Sequence, residues 1–176
     1  GGGDPGTHEL AVVSALDGAI TRTFDRFDTS EGGISDIALS PDRRTILVTR
    51  GTSACTGELV AYPADGRSDS VAYSEFANPL GIDISPDGTR LAVSSDDDCD
   101  GAPTLRVWPL GQGTAPAWAF GDGGQPLAGI PNDTGDPSGY DPNPPFVASF
   151  AFSDNDTLAY VIRTASDHHR AYRLDV

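Results

Sequence analysis

The chain has 176 residues, enough for one domain or two with a sizeable core, and 38% of them are hydrophobic. Its net charge of −15, from 26 acidic against 11 basic residues, gives a surface that repels nucleic acid and anionic lipid, so neither is expected as a partner. No run of about twenty apolar residues occurs, so no membrane insertion by a spanning helix is expected.

The opening Gly1-Gly2-Gly3-Asp4-Pro5-Gly6-Thr7 reads as a flexible tether over residues 1–7. The chain holds no methionine, which points to a processed product or to part of something longer; a Gly-rich leader of this kind also suits a lipoprotein. A pair of strands is predicted next, Glu9–Val13 and Ala19–Phe24, joined at the Asp17-Gly18 hairpin signal, as a partial unit over 8–31. A full unit over 32–76 follows, with strands predicted at Ile34–Leu39, Thr45–Thr49, Glu58–Tyr62 and Ser70–Tyr73. A second full unit over 77–120 repeats the order at Leu80–Ile84, Arg90–Ser94, Thr104–Leu110 and Ala115–Phe120. Residues 121–145 read as an insertion with no strand of its own. The chain ends in a partial unit over 146–176, with strands predicted at Phe146–Phe152, Thr157–Arg163 and Arg170–Val176. No segment sustains a 3.6-residue apolar period, so no helix is predicted.

The units share a hairpin. Gly81-Ile82-Asp83-Ile84-Ser85-Pro86-Asp87-Gly88-Thr89-Arg90-Leu91-Ala92-Val93 is strand, tight turn and strand: Ile82 and Ile84 alternate with Asp83, Pro86 presets φ for the first corner, and Gly88 accepts the left-handed position that closes it. Ile37-Ala38-Leu39-Ser40-Pro41-Asp42 opens a copy 45 residues earlier, Ser40 to Ser85. Phe150-Ala151-Phe152-Ser153-Asp154-Asn155-Asp156-Thr157 is a third copy, without the proline and one residue shorter. Four antiparallel strands repeating every 40–45 residues is the pattern of β-propeller blades. Blades pack face on face, and Ile46-Leu47-Val48 has the two-sided apolar character this demands of middle strands.

The Ser-Pro-Asp-Gly hairpin resembles the repeat of the WD40-like group of bacterial β-propellers, which includes TolB-like and lactonase-like proteins. The resemblance covers residues 8–176 apart from the insertion and implies an all-β, partial propeller of three to four four-stranded blades. Two whole blades and two partial ones do not close a ring. The chain is therefore expected to be a fragment of a larger propeller, to pair with another copy or chain, or to stand open under a capping neighbour.

In such a fold the loops from strand two to three, and from strand four to the next blade, leave one face. Cys55 and Cys99 occupy matching loops of adjacent blades. A disulfide between them would close a loop of about 45 residues and imply an oxidising, extracytoplasmic setting, whether periplasm, cell surface or secreted; two free thiols are the other reading. Asp96, Asp98 and Asp100, followed by Gly101, have the alternate-carboxylate spacing of a calcium loop. Position 107 is valine where an EF-hand needs a bidentate glutamate, so the alternatives are an isolated calcium loop and a solvated acidic turn. Within the insertion Asp133, Asp136 and Tyr140 are candidate binding-face residues, and His168 joins them from the loop before the last strand. A metal on His168 and His169 is disfavoured, because adjacent residues of a strand face opposite ways.

No nucleophile elbow, phosphate loop or zinc ligand set is present. The reading that results is a non-enzymatic extracytoplasmic module that binds a protein partner or a second copy through its terminal strands, with calcium as a possible structural ion. The resemblance also allows a lactonase-like hydrolase with a divalent cation at the propeller axis. Asp83 is the one inward carboxylate suited to that, since its counterparts Ala38 and Ala151 are not acidic.

Overall fold

A computed structural model describes residues 6–28, 33–53, 56–66, 70–73, 78–95, 104–110, 125–126, 146–163 and 169–176. These form four antiparallel sheets, with no helix among the described residues. The first sheet pairs β1 (Thr7–Val13) with β2 (Ile20–Asp28). The second runs β3 (Ile34–Leu39), β4 (Thr45–Ser53), β5 (Thr56–Pro63), β6 (Val71–Tyr73) in simple order. The third repeats this with β7 (Pro79–Ile84), β8 (Arg90–Ser95), β9 (Thr104–Pro109) and β10 (Gln125–Pro126). The fourth holds β11 (Phe146–Phe152), β12 (Thr157–Arg163) and β13 (His169–Asp175).

One expectation is corrected by β10. The stretch 121–145 carries a strand after all: Gln125 and Pro126 pair with Val107 and Arg106 as the outer edge of the third sheet. Two residues, one a proline without an N–H, show no strand pattern in sequence, and an outer edge is where a proline is tolerated. The stretch Ala115–Phe120, predicted to fill this place, lies outside the described residues.

The hairpin turns explain why the Ser-Pro-Asp signal marks structure. Ser40 N–H donates to Thr45 O at 2.9 Å, and Arg43 N–H returns to Ser40 O at 2.8 Å. The Asp42 carboxylate accepts from Ser40 Oγ at 2.6 Å and from Arg44 N–H at 3.0 Å. Ser85, Asp87 and Thr89 repeat the arrangement at 2.7 and 3.0 Å. These donors, the serine hydroxyls first, hold the carboxyls of Asp42 and Asp87 below the ordinary carboxylate range. The shortened third turn closes from Ser153 N–H to Thr157 O, and Asp154 keeps the acceptor role toward Asp156 N–H at 3.0 Å. All three inner strands also carry an irregularity at one place in the repeat, between Ile34 and Asp36, Pro79 and Gly81, and Val147 and Ser149. A bulge of this kind turns the strand and re-aims the side chains that follow.

The middle strands β4 and β8 are buried on both faces, with Leu47, Val48, Leu91, Ala92 and Val93 fully covered. Because a strand's side chains alternate between faces, burial of β4 and β8 on both faces requires a neighbouring sheet on each side of them, and the sheets stack. Leu10, Ile46, Val48, Val60 and Tyr62 fill the first interface, helped by Phe24, whose ring meets Tyr62 edge-on at 6.1 Å. Leu47, Leu59 and Ala61 meet Ile82, Ile84, Leu91 and Val93 in the second. Ala92 and Leu105 meet Leu158 and Tyr160 in the third, with Phe150 and Phe152 packed against them. Each large aliphatic side chain so buried contributes roughly 1.5–3 kcal/mol.

Candidate functional site

The site residues expected from sequence, Cys55, Cys99, Asp96, Asp98, Asp100, Asp133, Asp136, Tyr140 and His168, all lie outside the described residues. The described strands do fix where three of their loops start and end. Ser53 pairs with Thr56, Ser95 with Thr104, and Arg163 with His169, each at the end of its sheet away from the Ser-Pro-Asp turns. The loops carrying Cys55, Cys99 and His168 therefore leave corresponding ends of their sheets.

Along the inner strands, polar chemistry is concentrated at the joints between sheets. Asp36 on β3 reaches the next sheet, where its Oδ2 accepts the Ile82 N–H at 3.1 Å; its Oδ1 accepts the Ile37 N–H at 2.8 Å. Asp83 on β7 does the same one joint later, its Oδ2 accepting the Phe152 N–H at 2.7 Å. Burial pushes the Asp83 carboxyl above its ordinary range; the N–H donors of Phe152 and Ile84 oppose this, and the neighbouring Asp36 adds to it. Asp83 is the candidate axial carboxylate of the lactonase-like alternative; in the structure its Oδ2 accepts a backbone N–H from the next sheet. Asp36 was missed. In the repeat it stands at the position of Gly81, two residues before that of Asp83, so alignment of the units does not bring the two acids together. Gly81 itself lies where an added Cβ would come within 2.9 Å of Ser94 Oγ and 3.0 Å of the Phe150 ring, so the joint needs a glycine there.

The stack has two uncovered ends. Ile82 and Ile84 are 5% and 7% exposed, because the second sheet covers them. Ile37 and Leu39, at the same repeat positions, are each 52% exposed. The first sheet covers their strand neighbours Val48 and Ile46, but among the described residues it has no inner strand pair to lie over β3. At the opposite end Ala151 and Ala159 of the fourth sheet are exposed, whereas Ala38 and Leu47, their counterparts, are buried. The β1–β2 hairpin adds the exposed apolar residues Val13, Leu16 and Ile20. Among the described residues no group of three or more His, Cys, Asp or Glu side chains is placed to hold a metal.

No family model matches this sequence, and no curated protein matches it. Solved structures do. The crystal structure of TolB from Acinetobacter baumannii matches 93% of this chain at a TM-score of 0.57 and 16% identity, over 34% of its own length. An apo structure of the AtxE2 isopeptidase matches 76% of this chain and 22% of its own, at a TM-score of 0.40 and 20% identity. The first likeness shows the fold: the four stacked sheets have the fold of part of a TolB-like β-propeller. The chain spans about a third of the length of that TolB.

Proposed function

We propose that the chain is a non-enzymatic binding or assembly module, an incomplete propeller that works outside the cytoplasm and engages protein at its end faces. The observation that supports this is the exposure of Ile37 and Leu39 where their repeat counterparts Ile82 and Ile84 are buried. Uncovered apolar sheet faces with free strand edges are surfaces on which further strands seat. A calcium ion at Asp96, Asp98 and Asp100, and a disulfide between Cys55 and Cys99, belong to the same proposal: both would brace loops at one end of the sheets. They are supported by carboxylate spacing and by the matching loops. Asp133, Asp136, Tyr140 and His168 are the proposed binding-face residues beside them.

The test is the mass of the chain in solution across a range of concentrations, with calcium and with a chelator, for the wild type and for Ala159→Arg. Association that grows with concentration, weakens under chelation and is lost when a charged side chain is planted on the fourth sheet is the expected result. A monomer at every concentration, indifferent to the chelator, overturns the proposal.

A further inference from the structure

The face of β3 that carries Ile37 and Leu39 differs from the corresponding face of β7 in more than exposure. At the later joints each inner strand is held by a carboxylate from the sheet before it: Asp36 takes Ile82 N–H, and Asp83 takes Phe152 N–H. Leu39 stands at the repeat position of Phe152, and among the described residues no preceding sheet supplies it with that acceptor. The turns differ as well. Gly88, at φ 73°, sits with its Cα side toward Pro41 of the preceding turn, where an added Cβ would lie 3.8 Å from the proline ring. Arg43 fills the same position of its own turn at φ 59°. A side chain in the left-handed region costs about 1–2 kcal/mol relative to glycine. Arg43 and Arg44 are both exposed, in a protein with 26 acidic and 11 basic residues, so a cationic turn stands where a preceding turn would rest.

We infer that this face docks a two-stranded β-hairpin from outside the described strands, one that bears a carboxylate on its inner strand for the Leu39 N–H and lays its turn against Arg43. The inference rests on the binding-module reading above and names the occupant of one of its two faces. Strand number decides the occupant. Among the described residues the first sheet has two strands and the second and third have four, so two places beside it hold no described strand. The exposed sheet of a second copy brings three described strands, β11, β12 and β13, one more than the space takes, and at the place of Asp83 it carries Ala151.

The chain's own β7–β8 hairpin has the required chemistry and supplies the probe: a cyclic peptide of residues 79–95, closed between Pro79 and Ser95, which are paired neighbours in the sheet. It is titrated into the whole chain while the methyl signals of Ile37 and Leu39 and the exchange of the Leu39 amide are followed. Saturable methyl shifts are expected, with the Leu39 amide slowed by about tenfold or more when the site is filled. A peptide carrying Asp83→Ala binds about tenfold more weakly, as does the protein with Ile37→Ser and Leu39→Ser. Arg43→Gly keeps the turn, since glycine suits that φ, yet weakens binding about threefold and flattens its dependence on salt. Signals that stay put at millimolar peptide overturn the inference, as does an Arg43→Gly protein that binds with unchanged affinity. So do shifts at Ile37 and Leu39 produced by raising the chain's own concentration without peptide. Self-association blocked only by Ala159→Arg, with no peptide binding, defeats this inference and leaves the module reading intact. A monomer that binds the hairpin at Ile37 and Leu39 upholds this inference and the binding side of the module reading, and defeats only its self-association.

Discussion

The joint between the second and third sheets and the joint between the third and fourth are held in different ways. At the former, apolar side chains from both sheets interlock: Leu47, Leu59 and Ala61 against Ile82, Ile84, Leu91 and Val93. A polar link from Ile82 N–H to Asp36 joins the inner strands, and the turns approach each other at Pro41 and Gly88. At the latter, the apolar layer is supplemented by a polar strap along the turns. Arg90 donates to Asn155 O at 3.0 Å and to Val176 O, and pairs with Asp156 at 3.0 Å; the Asn155 side chain accepts the Asp87 N–H at 3.0 Å. The contrast shows that one repeated sheet can be fastened by burial or by charge. Burial resists salt and acid, whereas a strap whose Asp156 is mostly solvent-exposed is open to both.

The largest expected effect comes from hollowing out the apolar joint. Leu91 is fully buried between sheets, so Leu91→Ala should lower stability by about 2–5 kcal/mol in urea unfolding. Ile37→Ala, on the uncovered counterpart of the same kind of face, should stay within about 0.5 kcal/mol of the wild type. Equal losses for the two would mean that the exposure difference has no energetic content, and the distinction between covered and uncovered faces would fail.

The strap should be worth less and should act locally. Arg90→Ala removes two hydrogen bonds to carbonyls and one partly exposed ion pair, together about 1–3 kcal/mol. Hydrogen exchange separates this from general destabilisation. Amides of β11, β12 and β13 should exchange faster, while those of β4 and β8 keep their protection. Uniform acceleration across all sheets would show that the fourth sheet is not an independently fastened unit.

What could be read in the sequence follows the range of the interaction. The Ser-Pro-Asp turns were legible because Ser40, Asp42 and Thr45 satisfy one another within six positions, so the network is written in adjacent letters. The two-sided burial of β4 and β8 was legible from runs such as Ile46-Leu47-Val48. The joints were not. Asp36 and Asp83 bond to backbone N–H groups, which any residue offers, so their partners Ile82 and Phe152 leave no trace in the sequence. Ile37 and Ile82 are the same residue at the same repeat position, and only what lies over them differs. The loops proposed to carry sites were visible as acidic and cysteine-containing stretches, and the paired residues at their bases fix their places of exit alone.

The smallest effect tests the joint carboxylate. Asp83 is half-buried and its carboxyl is raised above the ordinary value near 3.8, so ionising it costs the folded state more than the unfolded one. Its contribution is fully present below that ordinary value and is lost as pH rises through the raised one. Asp83→Asn retains an oxygen to accept the Phe152 N–H but does not ionise. The stability of the variant relative to wild type should therefore climb with pH across that window and then level off. The gain should be under about 1 kcal/mol, because solvent screens a half-exposed group. The turn carboxylates run the other way: Asp42, Asp87 and Asp154 are lowered, so they stabilise at neutral pH and lose that contribution as acid protonates them. Both proteins share those three groups, so their acid loss cancels in the difference and the residual slope belongs to Asp83. A difference curve that is flat from acid to neutral pH would mean that the link between β7 and β11 is insensitive to the charge of its acceptor. The acceptor at this joint would then count as a hydrogen-bond partner for the Phe152 N–H and not as a charge, unlike the strap at Arg90.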